Sequence, residues 1–245
     1  MTTTNRIILL TGISPLYQEL KELIESQNHQ VVSIQELDQW KDRIDLVMEV
    51  SSLDLEAKKQ SIKILDEVLP TDVPILTSSL AITATEVASW ANSSERICGF
   101  GTLVPLAERE LFEVAPALQT SEATLDQAKM FIESLGKEVA VVEDEVGLVF
   151  PRVLSLIINE AVFTVMEGTA TPGDIDIAMK KGTNYPYGPL EWADRIGLDE
   201  VYAIIRGLHR DLAEERYRPA PLLRKLVLAG RVGQRSGQGF YNYQG

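Results

Sequence analysis

Proton-transfer chemistry near neutral pH most often uses an imidazole, and this 245-residue chain has only two, His29 and His209. His29 stands at the start of a predicted strand over 31–34. That is the opposite end of a parallel sheet from the strand ends where open α/β sheets bind ligands. His209 falls in a predicted helix over 200–215 and reads as a solvated face residue. The single thiol, Cys98, sits in the apolar run Ile97-Cys98-Gly99-Phe100, the setting of a buried and inert cysteine. Two histidines and one cysteine make no cluster with metal-ligand spacing, so no metal site is expected. Ser78 and Ser79 end a strand-like run over 73–77, where a serine pair reads first as a helix cap. Tyr185 and Tyr187 belong to a rigid Gly/Pro turn over 184–189.

The bulk numbers narrow the classes of partner. A net charge of −13 opposes nucleic acid, whose phosphates require compensating Lys and Arg. The same charge gives an unfavourable field for anionic cofactors, which local basic groups can override. No apolar run approaches the roughly 20 residues needed to cross a bilayer. The N-terminal segment carries one arginine and too short an apolar run for a signal peptide. One cysteine excludes an internal disulfide, so the expectation is a cytoplasmic protein with no membrane partner.

The elements that must position these residues follow from periodicity. Short apolar runs at 7–10, 31–34, 45–50, 73–77, 97–100, 111–115 and 139–142 read as strands. Helical spacing at 15–26, 55–69 and 124–135 separates several of them, which predicts a Rossmann-like, doubly wound parallel α/β sheet over 1–146. The stretch 36–44 reads as a bare loop. From 147 to 245 the pattern is all-α. A long apolar helix covers 150–167, and Thr171-Pro172-Gly173-Asp174 starts another with a hydroxyl cap, a first-turn proline and a carboxylate. Further helices are predicted at 200–215 and 221–229.

Residues 95–114, ERICGFGTLVPLAERELFEV, resemble without a gap the segment of 3-hydroxyacyl-CoA dehydrogenases in which ER-x-x-G is followed by HFFNPVP and then L-V-E-V. The helical part is similar over its length: Asn159-Glu160-Ala161, Asp174-Ile175-Asp176, Tyr185-Pro186 with Gly188-Pro189, Gly197-Leu198-Asp199, and GRVGQRSGQGFYNY at 230–243. The glycines of that last run read as turn and packing positions. In the sheet part the likeness runs from Asp45 through DLVMEV, Lys58 and Lys59, LTSSL and LGKEVAVVED.

That resemblance implies NAD as cofactor, an acyl-CoA substrate and a homodimer formed by the helical domain. It also maps roles onto positions. The general base falls on Gly101, which has no titratable group; the Glu that orients the base falls on Glu113, and the Asn near the start of the long helix on Pro151. Ser78 falls on a substrate-contacting serine. On the cofactor side the positions are Gly12, Ser14, Glu36, Glu49 and Lys58. Gly12, Ser14 and Tyr17 occupy the three glycine places of the phosphate-binding turn. Lys58 is expected either beside the nucleotide or solvated on an exposed helix. The helical hairpin that covers CoA in the family has no counterpart between Glu36 and Ile44.

Three readings stay open on the sequence. The chain is a family member without hydride transfer that acts as a binding or dimeric scaffold protein; or an active NAD-dependent oxidoreductase that uses Glu113 or Ser78 with an ordered water; or a binder of acyl-CoA or another small ligand.

Overall fold

A computed structural model describes residues 5–243. The chain forms two compact units that divide between Val149 and Phe150.

The first unit is a seven-stranded sheet with helices on both faces. In chain order it holds β1 (Ile7–Thr11), α1 (Leu16–Ser26), β2 (Gln30–Ser33), α2 (Leu37–Trp40), β3 (Leu46–Glu49) and α3 (Leu55–Val68). Then come β4 (Ile75–Ser78), α4 (Ala84–Ala88), β5 (Ile97–Gly101), β6 (Leu111–Pro116), α5 (Glu122–Ser134) and β7 (Glu138–Val141). The strand order is β2-β1-β3-β4-β5-β6-β7. β1 lies between β2 and β3, so the chain reverses its direction of travel across the sheet there. The carboxyl ends of β1 and β3 therefore flank the crevice in which doubly wound sheets take ligands.

Both faces are buried, which explains the unbroken apolar run at β1. Ile8 and Leu10 pack with Leu16, Leu20 and Ile24 of α1 and with Phe131 and Ile132 of α5. Leu9 points the other way, into a second cluster with Ile62 and Leu65 of α3. The sheet departs from the all-parallel expectation at one joint, where β5 and β6 pair antiparallel. The link over 102–110 holds only a short turn at Leu106–Glu108, too little chain for a crossover. α5 supplies a crossover next, so β7 is parallel to β6.

The stretch 36–44 is not bare. Glu36 and Ser33 form a capping box on a 3₁₀ turn over Ile34–Glu36, which runs on into the single helical turn α2, and Leu37 and Ile44 are buried in the α3-side cluster. Leu37, Trp40 and Ile44 stand at i, i+3 and i+7 and pack on one cluster, a helical spacing that the loop reading passed over because the segment is so short.

The second unit holds α6 (Phe150–Met166), α7 (Pro172–Thr183), α8 (Pro189–Ile196), α9 (Leu198–Leu212) and α10 (Pro221–Leu228). The predicted start of α7 is present: the Thr171 hydroxyl accepts from Asp174 N–H, and Pro172 stands in the first turn. Two buried carboxylates organise this unit. Asp176 accepts from the N–H groups of Leu190 and Glu191 at 2.8 and 2.9 Å, at the start of α8, and from the Tyr241 hydroxyl at 2.6 Å. Asp194 accepts from Phe240 and Tyr241 N–H, both at 2.9 Å, and from the Tyr243 hydroxyl at 3.1 Å. A Cβ on Gly239 would lie 2.0 Å from an Asp194 carboxylate oxygen, and one on Gly233 would lie 2.2 Å from the Asp194 carbonyl oxygen. Asn159 in α6 staples the segment before α10, donating to Arg218 O and accepting from Ala220 N–H. Asn159, Asp176, Gly233 and Gly239 of the helical unit thus serve packing and hydrogen bonding. Among the described residues no helix is long and apolar enough to cross a membrane.

Candidate functional site

At the crevice, β1 is followed by Gly12 with φ +108, and a Cβ there would lie 2.7 Å from Ser51 Oγ and 2.8 Å from Ser51 N. Gly12 is therefore required both by its backbone angle and by the close approach of the β3 end. The Ser51 hydroxyl accepts from Ile13 N–H at 3.2 Å. The amide groups at the start of α1 are already engaged. Pro15 has no N–H, Leu16 N–H donates to Ser14 Oγ at 3.1 Å, and Tyr17 N–H donates to Ser14 O at 3.2 Å. Free N–H groups at such a helix start are what hold a phosphate. Tyr17 packs its ring against the α1-side core. Glu36, past the end of β2, is exposed, and its carboxylate accepts from Ser33 N–H and Ser33 Oγ at 2.9 and 2.7 Å. The Ser33 backbone bond, then its hydroxyl, holds the Glu36 carboxyl below its ordinary value.

Beside the crevice the structure brings together Glu49, Lys58 and Ser78. Lys58 is fully buried, not solvated on an exposed helix, and its ammonium is paired with the equally buried Glu49 carboxylate. It also donates to the carbonyls of Ser51 and Ser78, each at 3.0 Å. Glu49 further accepts from Ser51 N–H at 2.8 Å and from the Thr77 hydroxyl at 3.0 Å. One buried ion pair therefore ties the ends of β3 and β4 to α3. The helix-cap expectation for Ser78 is overturned. α4 begins later, capped by Thr83 and by Asp144, whose carboxylate accepts from Ala84 and Thr85 N–H. Ser78 Oγ instead lies 3.2 Å from Ser52 Oγ.

Gly101 ends β5 and is buried; Glu113 faces it across the antiparallel pair. A Cβ built on Gly101 would lie 2.5 Å from Leu148 Cδ1 and 3.2 Å from Leu80 Cδ2. Glu113, 5% exposed, accepts from Val149 N–H at 2.7 Å. Pro151 is a buried residue of the first turn of α6, where a missing N–H is tolerated.

The histidines lie elsewhere. His29 is buried against Phe131, its Nδ1 accepts from Arg6 N–H at 3.3 Å, and its Nε2 lies 3.4 Å from Ser134 Oγ. Burial, then the Arg6 charge, lowers its pKa from the ordinary 6.5. His209 is a half-exposed residue of α9. Cys98 is fully buried, and burial pushes its thiol up to about 12, far from a reactive thiolate. The described residues hold no group of three or more His, Cys, Asp or Glu that could bind a metal ion.

Some partners had no sequence signal. Asp66 makes a buried ion pair with Arg96 at 2.8 Å and accepts from Asn92 and Ser93 N–H, which gives Arg96 a structural role. Leu148, with φ +53, is a left-handed residue that no glycine or asparagine announces.

Comparison with known proteins agrees with this architecture. Residues 15–145 match the family model for the 3-hydroxyacyl-CoA dehydrogenase NAD binding domain, and 147–243 match that for the C-terminal domain. The chain belongs to the 3-hydroxyacyl-CoA dehydrogenase family. It is 39% identical over 215 residues to a 3-hydroxybutyryl-CoA dehydrogenase of Bradyrhizobium diazoefficiens, covering 88% of this chain and 73% of that one. It is 36% identical over 200 residues to the enzyme of that name from Clostridioides difficile, covering 82% and 71%. A crystal structure of an (S)-3-hydroxybutyryl-CoA dehydrogenase from Ralstonia eutropha superposes with a TM-score of 0.77 at 28% identity, covering 99% of this chain and all of that one. The matched part of the NAD binding domain begins at residue 15, after the Gly12-Ile13-Ser14 turn.

Proposed function

We propose that this chain is a family member that does not transfer hydride and that acts as a dimeric scaffold or binding protein. The observation that carries the reading is at Gly101. The residue type offers no proton acceptor, and the space its side chain would need holds Leu148. Losing a general base alone lowers rate by about 10²–10⁴-fold. The turn before α1 supports the same reading, because its residues do not fit a dinucleotide pyrophosphate. Ser14 occupies the Leu16 and Tyr17 amide groups, and Pro15 has none to offer.

The active-enzyme reading would use Glu113 or Ser78. Glu113 already accepts from Val149 N–H, and Ser78 Oγ sits in a buried pair with Ser52 Oγ. Thermal shift separates the readings. A ligand at about 100 times its dissociation constant stabilises by about 2.7 kcal/mol. The expected result is an unchanged melting temperature with NAD, NADH and acetoacetyl-CoA. A shift with NADH together with NADH oxidation supports the enzyme; a shift with acetoacetyl-CoA alone supports an acyl-CoA binder.

The homodimer is assigned to the helical unit. Support comes from a groove of about 600 Å³ between α6 and α7, lined by Ile157, Ala161, Ala178 and Met179, and from exposed Met166 and Ile177 nearby in sequence. Light scattering at micromolar concentration should give twice the chain mass of 27.2 kDa; a monomer would refute the assignment. A cytoplasmic location is supported by the lone buried Cys98 and is checked by cell fractionation.

A further inference from the structure

We infer that Leu148 is a built-in plug of the former proton-transfer centre, and that Glu113 is the positioning residue that seats it. The inference rests on the reading that this centre moves no proton. Carbon atoms in contact prefer a separation of about 3.5–4.0 Å. A Cβ at position 101 would stand 2.5 Å from Leu148 Cδ1 and 3.4 Å from its Cγ, with Leu80 Cδ2 at 3.2 Å on another side. The Leu148 side chain and any side chain on residue 101 therefore compete for one volume. Both leucines are buried, at 4% and 2% exposure, so the seat is closed to solvent.

The backbone shows that this placement is held. Leu148 has φ +53, a left-handed conformation that L side chains seldom adopt. Three successive amides fix it: Gly147 N–H donates to Ser79 O at 3.0 Å, Leu148 N–H to Glu145 O at 3.0 Å, and Val149 N–H to Glu113 Oε2 at 2.7 Å. Glu113 faces Gly101 across the β5·β6 ladder, so the strand pair that presents the empty α-carbon also presents the carboxylate that anchors the plug loop. The retained glutamate thus has a role that needs no imidazole. It follows that Gly101→His requires the Leu148 side chain to shift, and that the ring is accommodated more readily once Leu148 is shortened.

The test is a stability cycle on the full chain: wild type, Gly101→Ala, Leu148→Ala and the double variant. Gly101→Ala should lower the melting temperature by roughly 2–12 °C, the span of core overpacking in a chain of this size. In the Leu148→Ala background the same change should have no effect or raise the melting temperature, since the added methyl then enters vacated space. Equal losses in both backgrounds would overturn the plug. If Gly101→Ala does not fold, recovery of a folded double variant supports the plug, and its failure to fold overturns it. Amide exchange at Val149 reads the second claim: at least about tenfold faster in Glu113→Ala, and protected in Glu113→Gln, which keeps a carbonyl acceptor. Unchanged exchange in Glu113→Ala would remove the seating role. Turnover by the wild-type chain would defeat the functional reading and leave the packing cycle standing. An additive cycle would do the reverse.

Discussion

Neighbouring strand ends on one edge of the sheet treat a buried side chain in opposite ways. Where β3 and β4 end, Glu49 and Lys58 form a buried, fully hydrogen-bonded ion pair that ties two strands to α3. Where β5 ends beside the start of β6, the space holds Gly101 and a leucine, and the Glu113 carboxylate binds a backbone amide. Polar groups tie the strands together at the first place, and an aliphatic side chain packs against the backbone at the second. The helical unit repeats the first pattern: Asp176, Asp194 and Asn159 each serve as acceptors for otherwise unpaired N–H or O–H groups.

The largest effect is expected at the charged end. Lys58→Met leaves a buried carboxylate without its cation and should lower unfolding stability by about 3–5 kcal/mol in urea. Replacing both partners, Lys58→Met with Glu49→Leu, should recover most of that loss. A small effect of Lys58→Met alone would mean the pair is not the clasp described. Next is Asp194→Ala, which strands two N–H groups and a tyrosine hydroxyl in the helical unit and should cost about 1–3 kcal/mol. No change there would separate the two units in kind.

The smallest effect concerns His29. Its folded pKa is below the unfolded value near 6.5, so the unfolded chain binds the proton more readily. Its neutral form therefore contributes fully above pH 6.5, and stability is lost as pH falls from there through the folded pKa. His29→Gln should flatten that part of the melting-temperature profile. An identical slope in the variant would assign the dependence to other groups.

Much of the architecture was legible because it rests on periodicity and turn chemistry. The β1 run, the Thr171 cap and the α6 stripe are local signals, and the glycines of 230–243 divide between turns, at Gly230 and Gly237, and close packing on Asp194, at Gly233 and Gly239. What was not legible depends on long-range contacts. The reversal of β6 follows from a short link, and the burial of Lys58 follows from a carboxylate nine residues earlier on another element. The sequence put a glycine where the resemblance places the general base, while the leucine packed against Gly101 carried no signal. Nothing in Gly147-Leu148 says that the leucine turns back toward β5 through a positive φ.

The most direct measurement is NADH oxidation with acetoacetyl-CoA by the purified chain, produced in a host lacking its own 3-hydroxyacyl-CoA dehydrogenases. The account predicts a rate indistinguishable from the protein-free control, with no change on replacing Glu113 by Gln. Sustained turnover that Glu113→Gln abolishes would contradict it.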